Sequence, residues 1–112
     1  MTARKNSQLY QKLEDIVGCK WSVAVLLAIE SDIRRPGALE KAIKGISAKV
    51  LSERLRKLHA YNLIEKTVYA EIPPRTEYSL TSAGRKLVRI IGQIHELDDE
   101  MNEAPDPPAK KF

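Results

Sequence analysis

The sequence predicts a mostly α fold of the α+β class, in which five helices are interrupted once by a two-stranded β-hairpin. Three observations carry that expectation. Apolar residues recur at helical spacing through most of the chain before Asn62, and again after Thr81. Between these regions an alternating stretch runs into Pro73-Pro74, the mark of strands joined by a turn. Ser47 and Thr81 stand where two of the helices would begin, and their hydroxyls can accept from backbone N–H groups that a helix start leaves unpaired.

The elements follow in order. Leu9, Leu13, Ile16 and Val17 share one face of a first amphipathic helix of about two to three turns, which Gly18 ends. From Lys20 to about Ser31 the chain is apolar nearly all round, which predicts a buried central helix. Pro36-Gly37 punctuates it, and Leu39, Ala42 and Ile43 make a short third helix stopped at Gly45. Ser47 caps the fourth, with Ile46 and Leu51 spaced as a hydrophobic staple. Leu51, Leu55 and Leu58 form its buried stripe, opposite Lys49, Ser52, Glu53, Arg56 and Lys57. Asn62, which tolerates the left-handed conformation, marks the exit.

Strands are expected over residues 63–72 and 76–80, with Pro73, Pro74 and Arg75 at the tip, because proline donates no ladder hydrogen bond. In the last helix Leu87, Ile90, Ile94, Leu97 and Met101 are spaced 3-4-3-4, a heptad seam that Ile91 widens. Periodicity ends at Glu103, so the domain should cover residues 1–103 and be followed by a disordered tail, 104–112. This order is that of a winged helix-turn-helix, with residues 38–44 and 47–61 as the paired helices and the hairpin as the wing.

The bulk numbers narrow the class. With 112 residues, 43% hydrophobic and 30% charged, the chain suits one globular domain and neither a disordered polyampholyte nor a membrane protein. Its longest apolar run, Trp21 to Ile29 broken by Ser22, falls well short of the roughly 20 residues that span a bilayer. No apolar stretch follows the basic N-terminus, so no signal peptide is expected. A single cysteine allows no internal disulfide and fits a reducing, cytoplasmic setting. The net charge of +4 is unevenly spread: residues 1–33 balance to zero, residues 34–89 carry +8, and residues 90–112 carry −4. A basic middle between neutral and acidic ends suits a face built for a polyanion.

A helix can lie in the major groove of B-DNA if one face is apolar and the other offers short polar and cationic groups. Residues 47–61 meet that condition. Lys49, Ser52, Glu53 and Arg56 are the candidates to face base edges, and Arg56 can offer two donors to one guanine. Ser47 at the helix start is a further DNA-binding candidate, and Lys49 is also a candidate phosphate contact. Arg35, Lys57 and Lys66 are candidate phosphate contacts, and Arg75 at the wing tip is placed for backbone phosphates or a narrow minor groove. Catalytic chemistry has no foothold. His59 and His95 lack a second ligand at metal-binding spacing, the glycines are scattered, and no nucleophile elbow occurs, so no enzyme activity, metal or cofactor is expected.

The residues Lys20-Trp21, Arg35, Leu39, Gly45-Ile46-Ser47, Leu51, Leu55-Arg56-Lys57-Leu58 and Leu63-Ile64 form a recognisable set. To these the wing adds Tyr69, the run from Ile72 through Pro73-Pro74-Arg75-Thr76-Glu77-Tyr78-Ser79-Leu80 to Thr81, and Gly84. Together they resemble the HxlR-type group of winged-helix regulators, relatives of the MarR group, over about two thirds of the chain. The resemblance implies a homodimer formed by the first and last helices, with each recognition helix in one half of an inverted repeat. It also implies repression or activation of nearby genes, often in response to oxidants or electrophiles. Redox-sensing members carry a cysteine just ahead of the first helix, but residues 1–17 contain none, so that role does not transfer. Cys19, at a helix start beside Lys20, is a separate candidate for redox sensing, to be set against the ordinary role of a small buried apolar group.

The expected dimer seam is Leu9 and Leu13 with Leu87, Ile90, Ile91, Ile94, Leu97 and Met101, residues that would equally serve to cover the protomer's own core. The expected function is a dimeric, sequence-specific regulator acting on double-stranded DNA at a pseudo-palindromic operator. Two alternatives stand beside it: a winged-helix module that binds protein partners, and an architectural DNA-binding protein without sequence preference. The +8 of residues 34–89 counts against the first, since such a module would not need it.

Overall fold

Helix α1 (Thr2–Val17) begins earlier than its apolar spacing indicates, because the added residues extend it where periodicity gives no signal. The computed structural model describes residues 2–103, with side chains from Gln8 onward; the expected tail lies outside the described residues. Then come α2 (Lys20–Glu30), α3 (Pro36–Ala42), α4 (Ala48–Ala60), strands β1 (Ile64–Tyr69) and β2 (Arg75–Leu80), and α5 (Ser82–Glu103). Neighbouring α1, α3, α4, α5 and β2 all pack on α2, which explains why its sequence is apolar nearly all round. Val25, Leu26, Leu39 and Leu58 are sealed from solvent in one core cluster that also takes Ile16, Ile64 and Ile91. Each such side chain contributes about 1.5–3 kcal/mol by leaving water.

The joints follow local chemistry. Gly45 turns the chain at φ +87°, in the left-handed region, with the Trp21 ring close by. Asn62 leaves α4 at φ 60°. The Thr81 hydroxyl donates to the Asn62 carbonyl at 2.7 Å and accepts from the Gly84 N–H at 2.9 Å. One side chain thus caps α5 and locks it to the end of the α4–β1 turn. Gly84 packs directly on the Leu63 carbonyl, where any Cβ would collide.

The hairpin is antiparallel, in register from Ile64↔Leu80 to Tyr69↔Arg75. β1 ends at Tyr69, earlier than the alternation predicts, and Arg75 begins β2 instead of sitting in the turn. The Tyr78 N–H donates to the Arg34 carbonyl at 2.8 Å, so the segment before α3 lies along the free edge of β2. Apart from Ile64, β1 is exposed throughout, whereas β2 packs on α2 and buries Tyr78 in the core.

Helix α5 divides its apolar residues between two faces. Gly84, Leu87, Val88 and Ile91 pack inward. Ile90, Ile94, Leu97 and Met101 stay exposed, at 43, 41, 54 and 66%. The expected heptad seam is therefore corrected at Leu87 and Ile91, which the protomer itself already buries to 7 and 2%. The body of the domain ends beside Ile91, and α5 runs on past it.

Candidate nucleic-acid interface

Helix α4 takes its phase from its ends. The Ser47 hydroxyl accepts from the Val50 N–H at 3.1 Å, capping the first turn. Leu51, Leu55 and Leu58 turn inward, and this holds Lys49, Ser52, Glu53 and Arg56 on the exposed face. Arg35 is the N-cap residue of α3. Its guanidinium is exposed, with Nε 3.7 Å from the Glu77 carboxylate.

The fold brings distant candidates together. Ser52, Arg56 and His59 of α4 line one cleft with Lys66 of β1, above the ring of Tyr78. Lys66 thereby joins the exposed polar face of α4, a juxtaposition that no spacing in the sequence announces. His59 was missing from the DNA-facing candidates, although its position three residues after Arg56 puts it on the same helical face.

Two cations are already engaged within the protomer. Arg75, the wing-tip candidate for phosphates or a narrow minor groove, lies 3.1 Å from Glu71, 3.1 Å from Glu77, and 4.0 Å over the Tyr69 ring. The approach of Nε to Glu77 is an ion pair without hydrogen-bond alignment. The planar fork and the ring hold both strand ends and the turn, so Arg75 braces the wing. Lys57 has its Nζ 3.1 Å from the Asp15 carboxylate, on the flank of α4 that faces α1. The Tyr61 hydroxyl donates to the same carboxylate at 2.9 Å. That hydrogen bond, with the Lys57 contact second, holds the Asp15 carboxyl below its ordinary range; the same hydrogen bond, with burial second, pushes the Tyr61 phenol up.

Cys19 stands between α1 and α2 and does not line the cleft. It is the N-cap residue of α2, and no side-chain hydrogen bond caps the helix there. Burial pushes the thiol up, but the Ser22 hydroxyl, the amides of Ser22 and Trp21, and the charge of Arg54 outweigh it and bring it below its usual value.

A short helix, a capped helix with a polar, cationic outer face, and a hairpin wing beside it make up a winged helix-turn-helix. Residues 16–106 match the HxlR-like helix-turn-helix family. The chain belongs to that family. This HxlR-like chain is 41% identical, over 93 residues, to the HTH-type transcriptional regulator sll1512 of Synechocystis, an overlap of 83% of this chain and 69% of the relative. It is 34% identical to the HTH-type transcriptional regulator YvaP of Bacillus subtilis over 85 residues, 76% of this chain and 79% of the relative. The crystal structure of a MarR-family transcriptional regulator from Enterococcus faecalis superimposes with a TM-score of 0.78 at 27% identity, covering 88% of this chain and 89% of that one. The protein is thus a transcriptional regulator of the helix-turn-helix type, a DNA-binding class without enzymatic activity. Among the described residues no helix is long and apolar enough to cross a membrane.

Proposed function

We propose that the protein acts as a homodimer that reads a pseudo-palindromic operator, through one recognition helix α4 in each half-site. The observation that carries this reading is a division of labour across the surface. α4 and β1 expose a polar, cationic cleft, while α1 and α5 expose apolar rows that the protomer leaves uncovered. Leu9, Leu13 and Ile90 line an apolar groove between α1 and α5, and Ile94, Leu97 and Met101 continue its row along α5. A second copy would take that surface out of water. Charge favours pairing the α5 helices antiparallel: Arg85, Lys86 and Arg89 lie near the start of α5, and Glu96, Asp98, Asp99, Glu100 and Glu103 near its end. That arrangement sets unlike charges against each other.

On DNA, Lys49, Ser52, Glu53 and Arg56 face base edges, with Ser47 at the helix start. Arg35 and Lys66 contact phosphates, joined by Lys57 where it can leave Asp15, and Arg75 supports the wing that lies beside them. The two recognition helices then stand about 34–36 Å apart, one turn of B-DNA. The test is selection from a random duplex pool at about 150 mM salt, where phosphate contacts alone give only weak binding. Recovery of an inverted repeat with half-sites about ten base pairs apart supports the reading. Enrichment without a motif would favour an architectural protein, and no enrichment from folded protein would favour a protein-binding module.

A further inference from the structure

A second cleft, of about 420 Å³, opens between the end of α2, the end of β2 and the first turns of α5. It shares no lining residue with the cleft beside α4. Three guanidiniums converge on it: Arg34 from the segment before α3, and Arg85 and Arg89 one turn apart on α5. Two of them are oriented by the fold. Arg34 pairs with Asp32 at 2.8 Å, and Arg85 donates to the Leu80 carbonyl at 3.1 Å. Arg89 has no ion pair and no hydrogen bond among the described residues. Leu80 supplies apolar surface to the same cleft, with the buried Ile29 behind it, and Ser79 borders it. Glu30 and Asp32 also line it, and with Asp32 engaged by Arg34 the cleft keeps a surplus of positive charge.

Like charges on one wall repel, and a partner that removes the repulsion stabilises them. Arg85 and Arg89 offer forked donors suited to an oxygen-rich dianion, whose strongest contacts are bidentate. The size of the cleft falls in the range of small-ligand sites, and apolar surface beside a few directed polar groups is their usual composition. We propose that this cleft binds a small organic anion with a doubly charged oxygen head, a phosphate monoester or a dicarboxylate, and an apolar body that rests on Leu80.

Such a ligand would tie two parts of the protein together. Arg34 directly precedes Arg35, the N-cap of α3, and its carbonyl receives the Tyr78 N–H of the wing. Arg85 and Arg89 belong to α5, the helix assigned above to the dimer. An anion bridging them fixes the angle between the helix-turn-helix and α5, and hence the spacing of the two recognition helices. Binding itself is independent of the operator reading; only this consequence rests on it.

The experiment is calorimetric titration of the full chain with phenyl phosphate and, separately, with phenylmalonate, the tighter ligand identifying which dianion the cleft prefers. The expected result is one saturable site per chain. Arg85→Gln/Arg89→Gln, and Arg89→Gln alone, should weaken it by about tenfold or more, the scale of a lost charge-assisted contact. Lys49→Gln/Arg56→Gln should leave it unchanged. Failure of both ligands to saturate, equal affinity in the α5 variants, or loss of binding in the Lys49/Arg56 variant would overturn the site; the last would place the anion on the DNA face. Inorganic phosphate binding as tightly as phenyl phosphate would remove the role of the apolar surface. With the site saturated, operator affinity should change by about fivefold or more in the wild type and not in Arg85→Gln/Arg89→Gln. An unchanged operator affinity would refute the coupling while leaving the operator reading intact.

Discussion

The Tyr61 hydroxyl donates to the Asp15 carboxylate at 2.9 Å, tying the residue that ends α4 to the helix that begins the chain. Lys57 reaches the same carboxylate at 3.1 Å. Helix α4 is therefore held from two sides, by the wing and by α1.

The carboxylate makes this tie pH-dependent. Tyr61 first, then Lys57, hold the Asp15 carboxyl below its ordinary value in the folded state. The stability it contributes is therefore fully present above the unfolded value of about 3.9, and is lost as pH falls through the lower folded value. Asp15→Asn should lower the urea midpoint near neutrality. The gap from wild type should narrow as the pH falls below the unfolded carboxyl value of about 3.9, and a gap independent of pH would count against the tie.

Gly84 and Gly37 should respond to alanine in opposite directions. A methyl at Gly84 meets the Leu63 carbonyl, whereas at Gly37 nothing lies within 4 Å. Gly84→Ala should cost about 1–3 kcal/mol or more through forced displacement of backbone. Gly37→Ala should gain about 0.4–1 kcal/mol by restricting the unfolded chain. Denaturant unfolding of the two variants reads both effects.

Arg56, Lys66 and Arg75 should separate into reader, anchor and brace. Arg56→Ala should lose about 1–3 kcal/mol of discrimination at one base pair. Lys66→Gln should weaken all sequences alike and reduce the salt slope by about 0.9, the value for one phosphate contact. Arg75→Gln should leave that slope unchanged, since its charge already serves Glu71 and Glu77. It should instead speed amide exchange in β1 and β2. Affinities measured across a salt series and a set of single-base operator variants distinguish the three.

Ile94→Glu and Leu97→Glu should split the dimer without unfolding the protomer, because both side chains are exposed in the single chain. Sedimentation at micromolar concentration should then show the 12.6 kDa species with its helical signal retained. Leu87→Glu and Ile91→Glu should unfold the protein instead, each burying a charge in the core. A wild-type chain that sediments only as a monomer would remove the basis for this contrast.

The sequence by itself determined what depends on neighbouring residues. Ser47, Thr81 and Asn62 mark helix ends, because caps and left-handed turns are satisfied within a few residues. The prolines 73 and 74 placed the turn of the wing, and the phase of Leu51, Leu55 and Leu58 settled which face of α4 looks outward. Only the tertiary structure decided which charges are free and who covers each apolar stripe. Lys57 finds its partner forty-two positions away in Asp15, and Lys66 shares a cleft with Arg56 only because the wing folds beside α4. The helical period shows that Leu87, Ile91, Ile94 and Leu97 are apolar together, but not that the domain body ends at Ile91 and leaves the last two exposed. The reason is physical: caps and turns are short-range hydrogen bonds written into adjacent residues, whereas ion pairs and burial depend on what the folded chain brings near.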